Sequence, residues 1–107
     1  MTATDKDINN IVNTICDYFD VNSHAVMNDL GRNQNECDAK FCITYLLHRV
    51  YHITTDNVSR LMNIVGRTVE KRCNSIDNVY YYNDIYNDLI KTNPHLLEDE
   101  DLKNICI

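Results

Sequence analysis

Glycine and proline, the residues that punctuate turns and loops, are scarce in this sequence. Its 107 residues include two glycines and one proline. A β-sandwich or a loop-rich scaffold needs many turn residues of these types, so both classes are disfavoured. The scarcity of helix breakers instead favours helices joined by short connections.

Long apolar runs are also missing. A membrane-spanning helix needs about 20 consecutive apolar residues, and no segment of the sequence approaches that length. The opening residues, MTATDKDINN, lack the apolar stretch of a secretory signal. We therefore expect a cytoplasmic protein of a bacterial or virus-infected cell. Trp is absent while Asn, Ile and Tyr are abundant, a composition typical of AT-rich genomes such as those of phages.

The cysteine count is odd, which argues against a disulfide framework. Most of the cysteines fall on apolar faces of predicted helices, where a thiol behaves as a small core residue. The sequence therefore predicts reduced cysteines in an intracellular protein. The five residues are Cys16, Cys37, Cys42, Cys73 and Cys106.

Recognisable catalytic motifs are absent from the sequence. It contains no Gly-rich phosphate loop, no G-x-S-x-G and no H-E-x-x-H. Its many carboxylates lie on predicted solvent faces, and a small all-helical domain rarely encloses a deep pocket. We expect neither an enzyme nor a bound cofactor.

Four residues of the types that bind zinc lie close together in the sequence. Cys37, Cys42, His48 and His52 are spaced C-x4-C-x5-H-x3-H. A zinc finger needs about a dozen residues between its two pairs of ligands, and one rigid helix cannot direct all four side chains to one point. The sequence predicts no structural metal, and it leaves open a weak two-ligand site at His48 and His52.

The net charge of −6 is distributed unevenly along the chain. Residues 1–31 hold one Lys against five Asp, and residues 73–107 hold two Lys against seven acidic residues. Residues 32–72 hold seven cations against four acids, so the positive excess lies in the middle. A basic surface on an acidic body is typical of a protein that contacts DNA at one face.

Apolar residues at helical spacing predict a bundle of helices. A first stripe runs from Ile8 to Phe19. A short second helix, capped by Ser23, carries the apolar residues Val26, Met27 and Leu30. Gly31 is placed to end that helix, and a polar loop follows it. A third helix, the longest and most buried, is predicted from about residue 36 to residue 51.

The segment from Thr54 to Ile76 predicts two short helices joined by a tight turn. Thr54 or Thr55 can cap the first helix, and Asn63 suits the turn because Asn tolerates a positive φ. Apolar residues on both helices and in the turn are predicted to face a shared core: Val58, Leu61, Met62, Ile64, Val65, Val69, Cys73 and Ile76. This pattern indicates a helix-turn-helix.

Three cations lie on the second helix of that pair, where such motifs meet DNA. They are Arg67, Lys71 and Arg72. The alternative is an ordinary helical hairpin whose cations are solvated.

Three consecutive tyrosines, Tyr80, Tyr81 and Tyr82, precede the last core helix. Such a run can stack on bases, as in proteins that bind single strands. It can also close a small core with its hydroxyls at the surface. The nearby carboxylates of Asp77 and Asp84 would repel phosphate, which favours the second interpretation.

The sequence as a whole predicts an all-α fold. We expect a compact bundle of six to seven helices in residues 1–92, with the helix-turn-helix at about residues 54–76. Residues 93–107 form an acidic tail, in which Asn93 and Pro94 predict the start of a further helix. This tail either packs on the domain or docks on a partner.

The order of these elements resembles the C-terminal DNA-binding domain of the bacterial replication initiator DnaA. That domain belongs to the Trp-repressor-like group of helix-turn-helix folds. The similarity covers about residues 8–92 and is carried by IVNTICDYFDVNSHAVM, YLLHRVYHITTDNVSRLM, GRTV and NDLIKT. It implies a recognition helix in the major groove of DNA and a basic loop that reaches the minor groove.

Single positions follow from the same resemblance. Thr68 and Val69 fall on the second Thr and the Val of the family motif G-G-R-D-H-T-T-V, and Lys40 falls on a basic position at the edge of the loop. Residues 63–65, Asn-Ile-Val, stand where the family has Gly, Arg and Asp.

Two interpretations of function follow. The first is a small stand-alone helix-turn-helix protein, encoded by a phage or mobile element, that binds double-stranded DNA in replication or transcription control. The second is a protein-interaction module that keeps the fold, has lost DNA binding, and docks on a host or virion protein through its acidic faces or tail. The residues predicted to contact DNA are Arg67, Thr68, Lys71, Arg72, Arg32 and Lys40.

Overall fold

Helices account for all the regular secondary structure that the structure describes. The structure is a computed structural model, and it describes residues 3–31 and 33–97. Within these residues there are six α-helices and no strand, which confirms the predicted all-α bundle. The elements are α1, Ala3–Phe19; α2, Ser23–Met27; α3, Gln34–Tyr45; a π-helical segment, Leu46–Val50; α4, Thr55–Met62; α5, Gly66–Asn78; α6, Tyr80–Thr92; and a 3-10 helix, Pro94–Leu97.

The apolar stripe of α1 forms one wall of the core, as its spacing predicts. Ile11, Val12 and Ile15 are buried, and α1 packs against α3. Burial of each such side chain contributes about 1.5–3 kcal/mol to stability. The stripe therefore holds α1 against α3.

The connection between α2 and α3 departs from the predicted one. The N-cap of α2 is Asn22, whose Oδ1 accepts from the Ala25 amide at 3.1 Å, so Ser23 is the first helical residue. The helix ends at Met27, and Leu30, which the pattern places in the core, is 53% exposed. Because α2 ends at Met27, Leu30 lies beyond the helix and its side chain is exposed to solvent.

A reciprocal cap starts α3 two residues earlier than predicted. The Glu36 amide donates to Oδ1 of Asn33 at 2.8 Å, and the Asn33 amide donates to Oε1 of Glu36 at 3.3 Å. Gly31 lies just before this cap with a φ of 76°, which is a left-handed conformation. A Cβ at position 31 would overlap the carboxylate of Glu36.

Replacing Gly31 with alanine is expected to lower the free energy of unfolding by about 2 kcal/mol, because a left-handed alanine is strained and the Glu36 cap is displaced. Urea unfolding followed by circular dichroism measures the change. The cost should be smaller in a Glu36→Ala background, where the carboxylate is gone. An equal cost in both backgrounds would mean that backbone strain accounts for all of it.

The third helix does not continue as an α-helix to residue 51. At Leu46 it widens into the π-helical segment, Leu46–Val50. Tyr51 follows, fully buried, and its hydroxyl donates to the Leu96 carbonyl. His48 and Arg49 lie within this segment, and both contact residues of α5.

Residues 54–76 form the two helices and the short turn that the sequence predicts, with α4 and α5 as the helices. The Asn57 amide donates to Oγ1 of Thr54 at 3.2 Å, so Thr54 is the N-cap of α4. Asn63 ends α4 with a φ of 57°, and α5 begins three residues later at Gly66. Of the predicted core residues in this segment, Leu61 and Val65 depart from expectation because they are 37% and 66% exposed.

A single residue, Val79, separates α5 from α6. Tyr82 stacks on Phe41 with ring centroids 4.3 Å apart, and the Tyr81 hydroxyl donates to Oδ2 of Asp38 at 3.0 Å. Tyr80 is 84% exposed. Of the three tyrosines, Tyr82 therefore helps to close the core, while Tyr81 is 44% exposed and is held by its hydroxyl. Most of the predicted acidic tail lies outside the described residues, which end at the 3-10 helix.

Buried thiols fill gaps in the core. Cys16, Cys42 and Cys73 are buried and free, and Cys37 is half-buried and free. Burial raises the pKa of the Cys16 and Cys73 thiols to about 11 and raises that of Cys42 further. These thiols therefore stay protonated near neutral pH, which suits a small core residue. Cys106 lies outside the described residues.

Candidate nucleic-acid interface

Four polar side chains at helical spacing share the solvent-facing side of α5. Arg67, Lys71, Asn74 and Asn78 recur after four, three and four residues, and all are exposed. They line an open groove of about 470 Å³. Arg and Asn are the residue types that pair with guanine and adenine edges, and Lys binds phosphate.

The π-helical segment holds one flank of α5 through His48. The ring Nδ1 of His48 donates to the Ile53 carbonyl at 2.8 Å, because a carbonyl only accepts. The other ring nitrogen lies 3.4 Å from Oε1 of Glu70, to which the Thr55 hydroxyl also donates at 3.2 Å. The Glu70 carboxylate therefore interacts with His48 and Thr55, which do not line the groove.

The π-helical segment also contacts α5 two turns further along that helix, through Arg49. Its Nη1 donates to Oδ2 of Asp77 at 2.7 Å, and its Nη2 donates to Oδ1 of Asn74 at 3.1 Å. The Tyr45 hydroxyl donates to the other oxygen of Asp77 at 2.9 Å. Burial, reinforced by this bond to Asp77, raises the pKa of Tyr45, so its hydroxyl remains a donor.

Two of the predicted DNA contacts, Lys40 and Arg72, lie in the interior. They are 2% and 6% exposed, and both contact Oδ1 of Asp29 at 3.2 Å. Lys40 also donates to the Gly31 carbonyl at 2.9 Å. This placement corrects the expectation that both cations face solvent, since a buried ammonium or guanidinium cannot reach a phosphate while the fold is intact.

Arg72 is surrounded by further partners inside the protein. Its Nη1 donates to Oγ1 of Thr44 at 3.3 Å, and its guanidinium carbon lies 5.7 Å from the centroid of the Phe41 ring. The Thr44 hydroxyl in turn donates to the Lys40 carbonyl at 2.7 Å. Burying a cation is tolerated only with such partners, so this cluster is a structural feature of the core.

The remaining predicted contacts divide three ways. Arg67 and Lys71 lie together in the groove, and Thr68 is half-buried beside them on α5. Arg32 lies outside the described residues. The structure thus brings together two of the six predicted side chains on one exposed surface, with a third next to them.

The four candidate zinc ligands do not form a cluster. Cys42 is fully buried, while His48 is bonded to Ile53 and Glu70 as described above. His52 is exposed and has a φ of 59°. Among residues 3–31 and 33–97, no three His, Cys, Asp or Glu side chains are grouped as metal ligands.

No helix in the described part of the chain is long and apolar enough to span a membrane. Comparison of the chain with protein-family models, with curated proteins and with solved structures found no match. Function is therefore inferred from the residues of this chain and their geometry.

The predicted contacts omit two residues of the groove, Asn74 and Asn78, and the adjoining Arg49. Asn74 and Asn78 continue the spacing of Arg67 and Lys71, and extending that spacing along α5 would have found them. Arg49 has no such signal, because its position depends on the π-helical segment.

Proposed function

We propose that this protein binds double-stranded DNA through α5. The observation that carries the proposal is the row of Arg67, Lys71, Asn74 and Asn78 along one exposed side of a 13-residue helix. Such a helix fits the major groove, where its cations contact phosphates and its amides contact base edges.

The local geometry before α5 supports a helix-turn-helix. The left-handed Asn63 makes a three-residue connection between α4 and α5, so that one helix packs on the other. In that arrangement α4 would cross the DNA backbone, and its exposed Arg60 would lie near a phosphate. The resemblance to the DnaA C-terminal domain proposes the same roles for these two helices, in replication or transcription control.

The salt dependence of binding tests this proposal. Fluorescence anisotropy of a labelled random-sequence duplex is measured from low to moderate salt, where the logarithm of affinity should fall linearly with the logarithm of salt concentration. Lys71→Ala should lower that slope by about one unit, because one phosphate contact is lost. Lys91→Ala on α6 is the matched control and should leave it unchanged.

The absence of binding to any duplex at low salt and micromolar protein would overturn the proposal. Slopes that change equally in Lys71→Ala and Lys91→Ala would show that binding reports total charge rather than the α5 groove.

A second candidate function is protein interaction. The observation that favours it is the exposed apolar group at the start of α6, where Val79, Tyr80 and Tyr81 are 43%, 84% and 44% exposed. Aromatic residues of this kind are enriched at protein interfaces. This function would be preferred if the duplex measurements fail while Tyr80→Ala weakens the capture of a host or virion protein.

A further inference from the structure

Asn74 differs from the other polar residues of the groove because its side-chain amide has a fixed orientation. Nη2 of Arg49 donates to Oδ1 of Asn74 at 3.1 Å. A guanidinium has donors only, so the oxygen of the amide must face Arg49. The amino group, Nδ2, is left for other partners.

The fixed orientation is maintained by a chain of hydrogen bonds that starts at the half-buried Tyr45. Tyr45 donates to Asp77, Asp77 accepts from Arg49, and Arg49 donates to Asn74. Reversing the amide of Asn74 would place its NH₂ group against the guanidinium and lose a bond. Asp77 can only accept and Arg49 can only donate. The network is therefore complete in one arrangement, with the amide oxygen of Asn74 toward Arg49.

We infer that Asn74 is a specificity-determining residue, which donates Nδ2–H to N7 of a purine in the major groove. This inference rests on the proposed DNA binding through α5. N7 is an acceptor on both adenine and guanine, and pyrimidines have no equivalent atom. Arg49 is the positioning residue, since it holds the amide in the orientation that offers a donor.

The neighbouring Lys71 and Asn78 do not supply this selectivity. Lys71 carries a compact charge on a flexible chain, which binds phosphates without reading sequence. Asn78 already donates its Nδ2 to the Asn74 carbonyl at 2.9 Å. Among these three side chains, Asn74 is the one with an oriented donor that the fold itself does not use.

A base-analogue scan tests the inference with the full chain. Preferred duplexes are first selected from a random library, and each purine of the selected site is then replaced by its 7-deaza analogue, which lacks the N7 acceptor. One position should bind the unmodified protein about fivefold more weakly when so replaced, the loss typical of one hydrogen bond. At that position the Asn74→Ala protein should show no further loss, and Arg49→Leu should show a reduced one.

Asn87→Ala, on α6 and outside the groove, is the matched control and should keep the full fivefold effect. Thermal unfolding of each variant checks that it is folded, and the scan on the unmodified protein needs no variant at all.

The outcomes separate the inference from the proposal on which it rests. Duplex binding without any position that responds to 7-deaza purines overturns the role of Asn74 and leaves DNA binding in place. The same result follows if Asn74→Ala keeps the full response, because another residue then reads N7. Failure of the unmodified protein to bind any duplex overturns both.

Discussion

Asp29→Asn is expected to lower the free energy of unfolding by about 3 kcal/mol. The carboxylate of Asp29 contacts both Lys40 and Arg72, whose side chains are 3% and 7% exposed. Asparagine keeps the shape and tolerates the left-handed backbone at this position, where φ is 55°. The substitution therefore removes the charge with little change of shape and leaves two buried cations without that counter-charge. Asp29 keeps 36% of its side chain exposed, which places the expected effect at the lower end for a broken buried pair.

Urea unfolding of Asp29→Asn and of a matched variant, Asp88→Asn, measures this effect. Asp88 lies exposed on α6, so its replacement should change stability by no more than about 0.5 kcal/mol. Similar stabilities of the two variants would contradict the structural role assigned to Lys40 and Arg72. Those two cations would then have to be reconsidered as surface residues.

Local chemistry made much of the fold predictable from the sequence. The cap at Thr54, the left-handed Asn63 and the apolar stripe on α1 each depend on neighbours within a few residues. Such features follow from capping preference, backbone sterics and helical spacing, all of which a sequence displays directly.

Long-range partners explain the residues that were misplaced. Arg72 lies between Val69 and Ile76 on the buried side of α5, so helical spacing did indicate its burial. Its charge suggested the opposite, and the carboxylate that resolves this conflict lies 43 residues earlier, at Asp29. No local pattern connects the two. The widening of the helix at Leu46 is likewise a tertiary effect, since nothing in the sequence LLHRV distinguishes a π-helical turn from an α-helical one.

Fewer of the cations in residues 32–72 lie on the surface than the net charge of that segment suggests. Lys40 and Arg72 are buried and share the carboxylate of Asp29, and Arg49 is paired with Asp77. From the described part of this segment, the cations that remain exposed are Arg60, Arg67 and Lys71. DNA binding by this chain would therefore depend on few contacts, and each should have a measurable share of the affinity.

Reversing two of those charges, in the double variant Arg67→Glu with Lys71→Glu, is expected to weaken duplex binding about a hundredfold at low salt. Each reversal changes the interaction with phosphate by about 2 kcal/mol before screening, and salt lowers this to roughly the 1.4 kcal/mol of a tenfold loss. Both side chains are exposed on α5, so stability should be nearly unchanged. Anisotropy with a labelled duplex measures the affinity.

The single variants Lys71→Glu and Lys91→Glu provide the control, because each loses one positive charge and gains one negative, taking the net charge from −6 to −8. Lys71→Glu should lose about tenfold in affinity and Lys91→Glu less than twofold, whereas equal losses would show that the groove on α5 has no special part in binding.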